Sequence, residues 1–263
     1  MKNAIKNIIA LLVLGVVFFV FRVPINRAYQ NIKDEWFPCR YPISYSIGTM
    51  DDRFHLSQTE FLQSIDRSAE IWNKIVGKKL FVYQTDGDLK INLKYDTRQN
   101  VTDKMSDIGS TVNDGKSTYD NLKFEYDSLK NDIDYLRSNV RSQSDVQNLN
   151  QKVDRLNQLA AELNQSAENI NSKVDEYNNM GSSLGGEFEE GLYFSNKDGR
   201  GIDIYQFKNQ TNLTRTLTHE LGHALSLDHS NDSNAIMYYL NSNDSLTPSE
   251  DDINALKAHC GIK

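Results

Sequence analysis

No proline occurs between Pro42 and Pro248, and within that span two runs of apolar or small residues recur with 3-4 spacing over many turns. The first occupies positions 119, 122, 126, 129, 133, 136 and 140; the second passes through 146, 149, 153, 156, 160, 163, 167, 170, 174 and 177. Such spacing keeps one stripe of a helix turned toward a partner, so the chain must contain long helices packed along an a/d seam. The first run extends back through Val112, Ile108 and Met105, where Gly109 and Gly115 weaken it. Between the runs, Arg141-Ser142-Gln143-Ser144-Asp145 breaks the register and carries residue types that cap helices. Two arms of similar length around a polar turn predict an antiparallel helical hairpin over 102–181, each arm roughly 50 Å long. Two arrangements compete with it. One is a single long helix with a stutter, joined to others in a parallel coiled coil. The other is a solvated Asn/Gln/Asp-rich insert, against which the regular spacing argues.

The flanking stretches have a different texture. In 40–101, Ile43-Ser44-Tyr45-Ser46-Ile47 alternates like a half-buried strand. Ser57 and Glu60 have capping-box spacing and open a helix through Phe61, Ile65, Ala69 and Trp72 to about Val76, where Gly77 stops it. Leu80–Tyr83 and Leu89–Leu93 read as two further strands around the Asp86-Gly87 turn. Strand-like sequence returns in 182–263, at Phe188–Phe194 and Gly201–Phe207. The hairpin therefore reads as an insertion into an α+β domain. The chain's formal charge is −7, most of it on the arm, and no basic cluster exists, which excludes a nucleic-acid partner.

At the N-terminus, Lys2 and Lys6 precede an apolar run from Ile8 to Phe21, and Arg22 follows. The run is short for a spanning helix and suits a signal peptide. Yet Phe21-Arg22-Val23-Pro24-Ile25 is a poor cleavage junction, and Ala4–Ile25 with snorkelling Lys6 and Arg22 reaches across a bilayer. Residues 1–27 are thus expected to be a signal anchor, with a cleaved signal as the alternative. The two cysteines, Cys39 and Cys260, stand at opposite ends of the remaining chain, placed to staple a folded domain in an oxidising compartment. The expected location is a membrane, with the folded part outside the cytoplasm, or else secretion.

The chemistry concentrates in Thr216–Ser230. His219 and His223 are four apart, hence on one helix face, where both imidazoles reach one ion. Glu220 follows the first and is placed to take a proton from a metal-activated water and pass it to a leaving amine. His229 is the natural third ligand, provided that the helix ends and the chain turns near Ser226. Three neutral ligands leave a fourth position open, as a catalytic zinc requires. Three of the chain's five histidines fall in these positions, which argues against coincidence. His55 and His259 stand alone and read as structural or exposed. No spacing resembles a calcium loop, so calcium is not indicated by any motif.

His-Glu-x-x-His-x-x-x-x-x-His is the metzincin motif, and His219-Glu220-Leu221-Gly222-His223 through Leu227-Asp228-His229-Ser230 resembles the matrixin branch. Asn234-Ala235-Ile236-Met237-Tyr238 is similar to the Met-turn, which would set Met237 beneath the metal. The resemblance covers roughly 42–98 and 187–262 and leaves the hairpin unaccounted for. It implies a twisted mixed sheet above an active-site helix, one catalytic Zn2+, and hydrolysis of a peptide or protein substrate. That substrate would lie extended on an edge strand, either the one around Glu187–Phe194 or the one ending at Phe207. Two positions depart from the pattern. Ser226 stands where the family usually has glycine, at a turn that favours a left-handed conformation. Tyr239 stands where matrixins usually have proline, and resembles the astacin and serralysin tyrosine that can reach the metal or stabilise an oxyanion; the competing reading is a residue that simply packs under the Met-turn. Cys39 in Phe37-Pro38-Cys39-Arg40 faintly resembles the zinc-capping cysteine of matrixin propeptides. Only three residues separate it from the first strand, so a Cys39–Cys260 disulfide is the favoured reading.

The leading functional expectation is a zinc endopeptidase whose hairpin positions substrate, a protein partner, a second copy or the enzyme itself. The main alternative is a cell-surface interaction protein that keeps the metallopeptidase fold as a scaffold for its coiled coil. A zinc hydrolase of non-peptide substrates is the third, since the histidine motif alone does not name a substrate.

Overall fold

The computed structural model describes residues 38–183, 189–196, 199–240 and 243–262, together with Gly15. Apart from Gly15, the expected anchor or signal at 1–27 lies outside the described residues. Among the described residues, no helix is long and apolar enough to cross a membrane. The elements in chain order are β1 (Ile43–Met50), α1 (Gln58–Val76), β2 (Phe81–Tyr83), β3 (Leu89–Leu93), α2 (Thr97–Arg137), α3 (Gln143–Ser183), β4 (Gly191–Asn196), β5 (Gly199–Ile204), α4 (Gln210–Ala224) and α5 (Glu250–His259). A 3-10 turn occupies Asp52–Phe54. The chain divides into two compact units, Thr97–Phe188 and the body formed by the residues before and after it.

The body is a mixed α+β layer. Its five strands are ordered β2-β1-β3-β5-β4, all parallel except β4, which runs antiparallel to β5 at the edge. Alternation along the strands turns Tyr45, Ile91, Leu93, Ile202 and Ile204 into one core with the helices. From α1 that core receives Phe61, Ile65, Ala69 and Trp72, a stripe at helical spacing. The Ser57–Glu60 capping box opens α1, and Gly77 closes it at φ 65°. Leu213, Leu217 and Leu221 supply the matching stripe of α4. Two polar side chains of α1 fasten the pair: Ser68 Oγ donates to Thr214 O (2.8 Å) and Trp72 Nε1 to Thr218 O (2.8 Å). These bonds hold α4 at Thr214 and at Thr218, the residue just before His219. Both donors are buried, so each bond ties the two helices together away from water.

Cys39 and Cys260 form a disulfide that ties the residues before β1 to the end of α5. The limits of β4 and β5 differ from the expected Phe188–Phe194 and Gly201–Phe207. The strand expected to end at Phe207 stops at Ile204, because Tyr205 and Gln206 turn their N–H groups to Glu190 O (2.8 and 3.3 Å). It also lies inside the sheet, paired on both sides, so the edge available to an extended peptide is β4.

In the other unit, α2 and α3 are helices of 41 residues each. Lys152 pairs with Asp132 (3.1 Å) and Arg155 with Glu125 (2.9 Å), so residues earlier in one helix meet residues later in the other and the two run antiparallel. A single continuous helix is thereby replaced by two, broken at 138–142. There Asp145 accepts from the N–H groups of Arg141 and Ser142, and Ser142 Oγ accepts from Asp145 N, a reciprocal cap for α3. Helix α2 begins at Thr97, ahead of the expected boundary at 102. Polar Thr97–Asn100 carries no seam residue, yet a helix already nucleated extends through such residues readily. Ile133, a residue of the expected seam, is deeply buried, whereas in the second arm the most buried side chain is Leu159, one position before the expected seam residue Ala160.

Candidate metal centre

Helix α4 starts at Asn209, whose side chain caps Asn212 N, and presents His219 and His223 from its last two turns. The helix then ends in a Schellman motif: Ser226 N donates to His223 O (2.9 Å) and Leu227 N to Gly222 O (3.0 Å). Ser226 is the left-handed residue of that turn, at φ 62°. The strained conformation costs a non-glycine residue about 1 kcal/mol. It reverses the chain and returns His229 to the helix. Ser226→Gly is therefore expected to raise the melting temperature by about 3 °C. A thermal melt of the metal-loaded variant measures it, and a fall in melting temperature would contradict the assignment of strain.

The three imidazoles converge. His229 Nε2 lies 3.3 Å from His219 Nε2 and 3.1 Å from His223 Nε2. The opposite nitrogens are occupied: His219 Nδ1 bonds Ile236 O (2.7 Å) and His223 Nδ1 bonds Leu227 O (2.9 Å). Backbone carbonyls accept, so each Nδ1 carries the proton and each Nε2 turns a lone pair inward. Burial holds His219 down to about 4, and depresses His223 in the same direction, which keeps both neutral as ligands must be. Tetrahedral zinc with Zn–N bonds of about 2.0–2.1 Å needs ligand nitrogens about 3.3 Å apart. The two separations to His229 Nε2 fit the ion, and among the described residues His219, His223 and His229 form a group able to hold one, with ligand atoms all within 4.8 Å of one another.

Glu220 faces β4. Its Oε2 accepts from Tyr193 N at 2.6 Å, and burial pushes its carboxyl up to about 7 against the pull of that N–H. Met237 is buried beneath α4, where a Cβ on Gly222 would stand 2.3 Å from its Sδ, so only glycine admits the sulfur there. Tyr239, two residues on, is 51 % exposed, with its ring beside that of Tyr238. The structure thus brings together His219, His223, His229 and Glu220, sets Met237 under them, and leaves Tyr239 at the surface.

Several residues absent from the sequence reading hold this arrangement. Asp252, at the third position of α5, accepts from Ile236 N (2.8 Å) and Met237 N (3.0 Å) while completing a capping box with Ser249. Since Ile236 O in turn takes the His219 Nδ1 proton, one buried carboxylate orients the first ligand through a single peptide unit. Arg215, one turn before His219, donates to Ala235 O (2.9 Å) and Ser245 O (3.1 Å), strapping the same segment to α4. Glu190 accepts from Thr216 Oγ1 (2.8 Å) and Asn212 Nδ2 (3.1 Å), fastening the start of β4 to α4. The Ser249–Asp252 spacing announces a helix start, but the second task of Asp252 joins it to residues at sequence separations of 15 and 16 and has no local signal.

A mixed sheet over a helix that carries converging histidines and a carboxylate defines a metallopeptidase domain. The sequence model of the matrixin family matches residues 35–260, and the chain belongs to that family. No curated protein matches the chain significantly. Matrixins normally bind zinc, and the histidine triad is consistent with it.

Proposed function

We propose that this protein is a zinc-dependent endopeptidase with His219, His223 and His229 as ligands and Glu220 as general base and acid. The convergence of three imidazoles beside one buried carboxylate carries the reading. Bound zinc would polarise the scissile carbonyl and acidify a water. Glu220 takes the proton of the attacking water and delivers it to the departing amine, a task suited to a carboxyl poised near neutrality. The edge strand β4 offers outward backbone groups on which an extended peptide can pair. Asp252 and Arg215 hold the ligand frame still during the cycle. The test is hydrolysis of a quenched internal-cleavage peptide: chelation should abolish it and zinc should restore it, whereas cleavage that survives chelation would exclude the zinc site as its source.

Tyr239 is assigned to the developing oxyanion, on the strength of its place two residues beyond Met237. Tyr239→Phe should lower kcat about 10-fold at unchanged zinc content, and normal turnover would remove it from the mechanism. For location, we propose a catalytic body outside the cytoplasm, held by the N-terminal segment or released from it. The Cys39–Cys260 bridge supports this, since disulfides persist in oxidising compartments. Blotting cell fractions for a full-length membrane-bound form distinguishes anchor from cleaved signal.

A further inference from the structure

Contacts of α4 with β4 and with Glu190 just before it bear on Glu220 and on the two turns that precede it. Glu190 grips Asn212 and Thr216. Gly191 packs so closely that a Cβ there would meet Thr216 Cγ2 at 2.9 Å, Glu220 Cγ at 2.9 Å and Glu220 Oε1 at 3.0 Å. Tyr193 N–H, two residues along the same edge, donates to Glu220 Oε2 at 2.6 Å. In an antiparallel pair, alternate residues of the edge strand turn their N–H and C=O away from the partner. Gly191, Tyr193 and Ser195 are those residues of β4, which the Tyr193 bond itself fixes.

We infer that the backbone of Gly191–Tyr193 is a positioning element for the general base: glycine admits the Glu220 side chain against the strand, and the Tyr193 N–H holds its carboxylate at one orientation. This rests on the peptidase reading and extends it. A short bond from a backbone donor to a carboxylate is the strong, charge-assisted kind, and it leaves the second oxygen free to take a proton. The same bond has a consequence for substrate. An extended peptide laid on β4 finds no donor at Tyr193, because Glu220 occupies it. The interruption in pairing falls beside the base, so the strand sets which peptide unit lies next to Glu220. One strand therefore aligns both the substrate and the group that acts on it, and the two cannot drift apart independently.

The test compares two edge prolines. Both remove an outward N–H, and neither takes a bond from the β4–β5 ladder. Tyr193→Pro should lower kcat by 10- to 100-fold with KM within about 3-fold of the parent and with one zinc retained per chain. Ser195→Pro should raise KM and leave kcat within about 3-fold. An ester at the same bond, made by incorporating the α-hydroxy analogue of tyrosine at 193, replaces only the N–H and should reproduce the kcat loss even where the proline perturbs the strand. If the ester-containing enzyme turns over at the parental kcat, the positioning role is overturned while the peptidase reading stands. If the zinc-loaded parent cleaves no peptide, the peptidase reading fails and this inference fails with it.

Discussion

Glu220→Gln is expected to lower kcat for peptide hydrolysis by about 10³-fold while the protein still binds one zinc per chain. The substitution is nearly isosteric, and the amide oxygen can still accept from Tyr193 N–H, so the fit of the side chain between α4 and β4 is kept. What disappears is the capacity to take a proton. The three histidines do not depend on Glu220 for orientation, because their Nδ1 protons go to Ile236 O and Leu227 O or, for His229, its Nε2 meets the other two directly. Metal content and activity should therefore separate. Parallel loss of both would mean that Glu220 supports the ligand frame, and retained turnover would remove it as the base. Metal analysis and steady-state kinetics on the same preparation make the comparison.

Replacing Cys39 and Cys260 together by serine is expected to lower the melting temperature by about 10 °C. The bridge spans a sequence separation of 221 residues, so it constrains most of the unfolded chain. The chain-entropy account gives about 5 kcal/mol for a loop of this order, with native bridges commonly delivering less. For a domain of this size each kcal/mol corresponds to about 2–4 °C. The effect should reach the site. Cys260 caps α5, whose first turn supplies Asp252 to Ile236 and Met237, and Ile236 holds His219. Loosening α5 thus weakens the support of the first ligand, and zinc affinity should fall along with stability. Melts of parent and double variant, each with and without zinc, measure both effects; equal melting temperatures would show that the bridge carries no stability.

Much of this architecture is legible in the sequence, for reasons that differ by element. Seam residues at 3-4 spacing and a polar break define α2 and α3 because a helix repeats its surface over many turns, and the signal accumulates. The zinc helix is legible because ligand spacing is tied to the 3.6-residue turn. Two cysteines admit one intramolecular pairing. The strands β4 and β5 are less well defined: each has six residues, and their ends are set by Glu190 O capturing Tyr205 N and Gln206 N. Asp252 looks like an ordinary capping residue, and its buried bonds to Ile236 and Met237 exist only once the chain has folded back on itself. Tyr193 acts through a backbone N–H, which every residue but proline possesses and no side-chain pattern reveals. Ser226 shows the converse. Sequence marks it as an unusual residue for the turn, and the structure places it in the left-handed conformation all the same.

The central claim, peptide-bond hydrolysis at the histidine triad, is tested most directly by digesting a proteome-derived peptide library with the zinc-loaded protein and reading new termini by mass spectrometry. Cleavage at internal bonds, absent from the chelated protein and restored by zinc, is the predicted result. A library left intact by protein that carries one zinc per chain would contradict it.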